Sequence, residues 1–247
     1  MDPTHDIALV GFDGDDTLWR SQDFYDAAQA TFEAMLAGYV DLQDARVQER
    51  LYAVEKGNIA FFGYGVKGMV LSMIEAAVEL TGERIAAADL RRIVQLGKDL
   101  LRHPVELLPG IREAVEAVAR EHEVVLVTKG DLFHQEAKVR ESGLADLFPR
   151  IEIVSEKDAS TYARVLSEFE LDPGGFAMIG NSLRSDVLPV LELGGWAVHM
   201  PYRVTWVHEA EAELPAALAA RMLGAATPAD LPGAIRMLEK AAAATVG

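Results

Sequence analysis

A chain of 247 residues can hold one sizeable core, or a core domain with a large insertion. Half of it is hydrophobic and a quarter charged, as in soluble globular proteins, and its net charge of −16 argues against general binding to nucleic acid or to anionic membranes. It has no cysteine, which excludes disulfides, a thiol nucleophile and Cys-ligated metal and fits a cytoplasmic location.

The opening MDPTHD is short and acidic, without the basic-then-apolar pattern of a signal peptide. The first element is IALVGF (7–12), which reads as a strand. It runs into DGDDTLW, where Asp13, Asp15 and Asp16 fall within four positions. Like charges this close repel, and a structural turn rarely needs three of them.

Residues 20–104 show no convincing strand and read as helices over about 22–38, 43–56, 66–81 and 86–102. The stretch GNIAFFGYGVKG (57–68) is expected to interrupt this block, its glycines at 63, 65 and 68 letting a loop enter a cleft beside Asp13. The most apolar window, MVLSMIEAAVEL, is broken by Glu75 and Glu79, so no membrane span is expected.

Regular alternation follows. Helical spacing over 110–122 precedes the strand EVVLVT (123–128), and helix 134–144 precedes RIEIV (150–154). Helix 158–171 leads to FAMIG (176–180), and a segment at 185–195 leads to WAVHM (196–200). Pro189 should kink that segment or make its helix start late. Beyond Pro201 the chain is less regular, the acidic HEAEAEL (208–214) reading as a solvated face. A last helix is expected over about 229–244, fraying in its alanine-rich end at 241–244.

Five short, near-continuously apolar strands separated by helices predict an α/β fold: a Rossmann-like open parallel sheet, covered on both faces. The domains are expected to be a core of 1–19 and 105–247 and a helical cap domain of 20–104.

Open parallel sheets bind ligands beyond the carboxyl ends of their strands. The polar residues there are Asp13, Asp15 and Thr17; Thr128, Lys129 and Gly130; Ser155, Glu156 and Lys157; and Asn181, Ser182 and Asp186. Carboxylates, a hydroxyl and a lysine at one edge suit a hard divalent cation plus a phosphate. A calcium loop is excluded, because Leu18 and Phe24 stand where it needs Gly and Glu.

These motifs resemble the haloacid dehalogenase-like (HAD) hydrolase superfamily. DGDDTL (13–18) fits its D-x-D-x-T, Thr128 in LVTKG its second motif, Lys157 in VSEKD its third, and GNSLRSD (180–186) its fourth. The helical insert resembles the cap of one large subclass. The resemblance implies that Asp13 attacks phosphorus and forms an aspartyl-phosphate, and that Asp15 serves as acid and then base. Thr128, with Lys129, Gly130 and Lys157, would hold the phosphoryl group. Mg²⁺ would sit on Asp13, the main-chain carbonyl of Asp15 and Asp186. Asn181, where the family more often has Asp, would lie near the metal with one charge fewer. Asp16 would only orient the turn, and Lys67 is a candidate substrate contact from the cap.

The family's dehalogenases lack the second aspartate, since a halide leaving group needs no acid. Asp15 therefore favours a phosphatase acting on a small phosphorylated metabolite, with a phosphomutase or a non-catalytic phosphate-binding relative as alternatives. No nucleic acid polymer and no membrane is expected as partner, and the protein is expected to be a monomer or homodimer.

Overall fold

The structure is a computed structural model that describes residues 7–43, 46–204, 206–209 and 214–244. The MDPTHD opening and residues 210–213 of HEAEAEL lie outside them. The chain divides into two compact units. One takes the chain through Arg20, Val105–Lys129 and everything from Gln135 on; the other takes Ser21–Pro104 and Gly130–His134.

The first unit is built on a parallel sheet of six strands: β1 (Leu9–Phe12), β2 (Glu123–Lys129), β3 (Arg150–Val154), β4 (Phe176–Gly180), β5 (Trp196–His199) and β6 (Met222–Gly224). Their order is β3-β2-β1-β4-β5-β6. The order reverses around β1, whose Phe12 lies level with Leu126 of β2 and Ile179 of β4. The carboxyl ends of these three strands therefore share one edge, the place where such sheets form their ligand crevice.

Both faces of the sheet are covered. Val10, Phe12, Leu126 and Ile179 share one core with Ile111 and Val115 of α5 (Ile111–Ala119) and Ile235 and Leu238 of α9 (Leu231–Ala244). Leu9, Val125, Val127 and Met178 share another with Tyr162 and Leu166 of α7 (Ala159–Glu168). Apolar side chains on both faces explain why β1 and β4, buried along their whole length, read as unbroken hydrophobic runs. Gly11 is needed on the second face, because a Cβ there would come within 2.7 Å of the Met178 sulfur and the Phe176 ring.

The second unit holds α1 (Gln22–Leu36), α2 (Val47–Phe62), α3 (Val66–Leu80) and α4 (Ala87–Leu101) around Phe32, Leu36, Leu51, Met73 and Ile93. Between α2 and α3 the turn rests on Gly63 and Gly65, both at positive φ (70° and 105°).

Four expectations need correction. The stretch 57–68 does not interrupt the helices as a whole: α2 runs on to Phe62 and only 63–65 are outside helix. Gly57 is tolerated inside α2 at about 1 kcal/mol relative to Ala. The sheet has a sixth strand, β6, too short at three residues to show periodicity. The alanines at 241–244 stay helical, and Ala242 is buried against the core. HEAEAEL does not begin as a solvated face, since His208 is buried and Glu209 turns inward to Lys129.

Pro189 does make its helix start late. A π-turn at Leu183–Val187 precedes α8 (Leu188–Glu192), with the proline in the first turn, where it has no hydrogen bond to lose. Among the described residues, no helix is long and apolar enough to cross a membrane.

Candidate active site

The site grows from the turn after β1. Asp13 N donates to Ile179 O at 2.9 Å, which extends the sheet pairing and fixes Asp13 at the strand end. The chain then folds back: Leu18 N donates to Gly14 O at 2.8 Å, and Asp16 N to Trp19 O at 2.7 Å. Asp16 sits at φ 62°, a left-handed conformation that Asp tolerates better than most residues. A Cβ on Gly14 would lie 3.0 Å from Thr128 Oγ1, so glycine lets the turn close against the end of β2.

Three buried charges meet beyond the strand ends. Lys157 Nζ donates to Asp13 Oδ1, and to Asp186 Oδ1 at 2.7 Å. Asp13, Lys157 and Asp186 are 6%, 4% and 1% exposed. Burial pushes the Asp13 carboxyl up to about 7; the Asp186 and Asp15 carboxylates push the same way, against the opposing Lys157 ammonium. Burial alone would favour neutral Lys157, but its two carboxylate partners outweigh that and keep it protonated.

Asp186 is aimed by its π-turn. Its Oδ2 accepts from Ser182 N at 3.0 Å, and Ser182 Oγ accepts from Ser185 N at 3.1 Å. Gly180 makes the fold-back possible, since a Cβ there would lie 2.3 Å from the Asp186 carboxyl carbon.

Asp15 faces a different set of groups. Its Oδ1 accepts from Trp19 Nε1 at 2.6 Å and from Lys138 Nζ at 2.7 Å, and its Oδ2 from Gln135 Nε2 at 2.8 Å. Burial would raise its pKa, but Lys138 and these donors together hold it below the usual carboxylate value. With 28% of its side chain exposed, it is still reachable from solvent.

The other candidates are placed as follows. Thr128 Oγ1 and Asp13 Oδ2 are buried with no hydrogen-bond partner among the described residues. Asn181 Oδ1 lies 3.5 Å from Thr17 Oγ1. The Lys129 ammonium is shared among Glu209 (2.8 Å), Ser185 Oγ (3.0 Å) and Glu156 (3.2 Å). Gly130 has φ 144° and, like Lys67, belongs to the helical unit. There Lys67 pairs with Asp131 at 2.8 Å and lies over the Phe133 ring.

Sequence reasoning missed Lys138, Gln135, Trp19 and Glu209. The first three left a signal: 135 and 138 are one turn apart on α6 (Leu132–Ser142), the helix after β2, and Trp19 is four residues from Asp15. Glu209 left none, because it lies in an irregular acidic stretch.

Among the described residues, no three His, Asp or Glu side chains gather as a cation cage. The donors still fit a small hard cation. Asp13 Oδ2 is an unsatisfied buried oxygen, and the cluster of Asp13, Lys157 and Asp186 has two carboxylates to one ammonium.

Fold and site together define a hydrolase with a Rossmann-like α/β core and a helical block inserted after β1. The family model for haloacid dehalogenase-like hydrolases matches residues 7–194, and the chain belongs to that family. It is 55% identical to a haloacid dehalogenase-like family hydrolase from Xanthomonas campestris, over 97% of this chain and 94% of that one, with a TM-score of 0.86. More distant is a 2-haloacid dehalogenase from Pseudomonas syringae: 19% identity, 94% and 99% coverage, TM-score 0.61. The YfnB protein of Bacillus subtilis, assigned as a HAD-hydrolase and bound to magnesium, is similar at 18% identity, 94% and 99% coverage and TM-score 0.62. At these identities the last two speak for the fold alone. No protein of curated function matches the chain.

Proposed function

We propose that the protein is a Mg²⁺-dependent phosphatase that hydrolyses a small-molecule phosphate monoester through an aspartyl-phosphate. The observation that carries this reading is Asp15: a second carboxylate, two residues from a buried aspartate, held by three donors yet open to solvent. A dehalogenase has no use for it, whereas an alkoxide leaving group needs a proton.

A carboxylate oxygen of Asp13 attacks phosphorus as the ester P–O bond breaks. Lys157 holds Asp13 in place and offsets the charge gathered on nucleophile and phosphate. The Thr128 hydroxyl, with no partner of its own among the described residues, donates to a phosphoryl oxygen. Asp15 gives the leaving alkoxide its proton. An arriving phosphate raises the proton affinity of Asp15 by repulsion, which counters the pull of Lys138. In the second half Asp15 takes a proton from the water that attacks the aspartyl-phosphate, and Asp13 is released.

Asp13, Asp186 and the main-chain carbonyl of Asp15, with Asn181 nearby, would hold Mg²⁺, which when bound neutralises phosphoryl charge. Lys129 and Gly130 would line the phosphate side. Contact by Lys129 requires exchanging one of its present partners. Lys67 of the helical unit is a further candidate substrate contact. A soluble metabolite is the partner that fits an enzyme of this size and charge.

The test is hydrolysis of p-nitrophenyl phosphate with Mg²⁺ and with EDTA, beside Asp13→Asn. Metal-dependent release of nitrophenol that disappears in the variant supports the reading. Turnover equal in the two proteins refutes it.

A further inference from the structure

We propose that Lys138 and Gln135, one turn apart on α6, are positioning residues that hold the Asp15 carboxylate in the orientation for proton transfer to the leaving group. This deepens the phosphatase reading and rests on it.

The geometry is specific. Two side chains from one helix reach both oxygens of one carboxylate, Lys138 to Oδ1 at 2.7 Å and Gln135 to Oδ2 at 2.8 Å. Trp19 adds a third donor at Oδ1. A carboxylate fixed at both oxygens has lost its freedom to rotate about Cβ–Cγ. Lys138 has an 11% exposed side chain, so its ammonium is drawn in toward Asp15 rather than left to solvent.

Gln135 adds an independent argument. Its Nε2 lies 2.8 Å from Asp15 Oδ2 and 3.2 Å from Lys129 O. An ionised carboxylate and a carbonyl can only accept, so the amide must present its nitrogen to them. That choice leaves Gln135 Oε1 buried with no partner among the described residues. An unsatisfied buried acceptor costs about 1–3 kcal/mol. A hydrophobic residue would avoid that cost, so the glutamine is kept for what its nitrogen holds.

Proton transfer makes a prediction that mere structural support does not. A positioned acid matters most when the leaving group is a poor one. The experiment measures kcat/KM with Mg²⁺ on a series of phenyl phosphates, from p-nitrophenyl to unsubstituted phenyl, for the wild type, Lys138→Met, Lys138→Arg and Gln135→Leu. Lys138→Met should lose about tenfold or more on phenyl phosphate relative to p-nitrophenyl phosphate. Lys138→Arg, which keeps a donor cation, should recover most of that ratio, and Gln135→Leu should shift it in the same direction by less. The ratio does not depend on the folded fraction, so partial unfolding cannot imitate the effect. Equal losses on every ester would overturn the positioning role while leaving the phosphatase reading intact. A wild type inactive on the whole series would take down both.

Discussion

Lys157 Nζ lies 2.7 Å from Asp186 Oδ1 and also bonds Asp13 Oδ1, so one buried ammonium serves two buried carboxylates. The cluster is one positive charge short. Such an arrangement is costly in a resting protein and useful in one that must receive a cation or pass a carboxylate to phosphorus. Asp13 bears the imbalance, its carboxyl pushed up by burial.

Removing the ammonium should therefore harm the fold as well as the chemistry. Lys157→Met leaves two carboxylates buried without their shared partner, at an expected cost of about 3–5 kcal/mol in EDTA. Urea denaturation at neutral pH checks this. Mg²⁺ should restore part of the loss by replacing some of the missing charge. A variant as stable as the wild type in EDTA would show that Lys157 does not neutralise the pair.

The pH dependence follows from Asp13. Its value is about 7 in the folded protein, against 3.8 as the ordinary value. Between those values the folded protein binds more protons than the unfolded chain, so this group's contribution to stability falls as pH rises. It is fully present below about 4 and lost by about 7. Asp13→Asn removes the titration, so the variant should gain on the wild type by a few kcal/mol across that window in EDTA, at roughly 1.4 kcal/mol per pH unit. Denaturant midpoints at several pH values measure the gap. Mg²⁺ favours the ionised carboxylate, so its stabilising effect on the wild type should be larger above pH 7 than below it. A gap that stays flat with pH would mean that Asp13 is already ionised.

How much of this was legible in the sequence depended on whether a residue acts through local pattern or through tertiary contact. The first five strands of the sheet were readable because each is a short, near-continuously apolar run set between helical patterns. Asp13, Thr128, Lys157 and Asp186 could be singled out because parallel strands deliver their next residues to one edge. The three residues of β6 carry no period. Gly57 looked like a breaker, yet α2 passes through it. Gln135 and Lys138 show their one-turn spacing on α6, but that spacing alone does not say that the pair turns toward Asp15. Glu209 reaches Lys129 across 80 positions, a pairing only the fold creates. The lowering of Asp15 was also invisible: burial would raise it, and Lys138 and the donors beside it, which only the fold brings there, outweigh that.

Gly180 offers a test of how Asp186 is aimed. A methyl group there would sit 2.3 Å from the carboxyl carbon, far inside contact distance, and the carboxylate must move. Gly180→Ala should weaken Mg²⁺ binding by about tenfold or more, measured calorimetrically, and lower kcat with it. The strand itself should persist, because alanine suits a buried strand. Unchanged Mg²⁺ affinity would show that the exact placement of Asp186 is not needed.

Glu209 tests the support beneath that turn. Its carboxylate accepts from Lys129 Nζ at 2.8 Å and from Ser185 Oγ at 2.7 Å, and Ser185 is the neighbour of Asp186. Burial would raise its value, yet the Lys129 ammonium and the serine hydroxyls hold it below the usual carboxylate value, so it is ionised at neutral pH. Glu209→Gln keeps the shape and removes the charge, taking from Lys129 the nearer of its carboxylates at 2.8 Å and leaving Glu156 at 3.2 Å. Breaking a largely buried pair this way should cost about 2–4 kcal/mol in stability. The turn carrying Asp186 should loosen, which hydrogen exchange at the amides of residues 182–187 would read as faster exchange. Wild-type exchange in that segment, together with a clear loss of global stability, would confine Glu209 to holding Lys129 and separate the pair from the placement of Asp186.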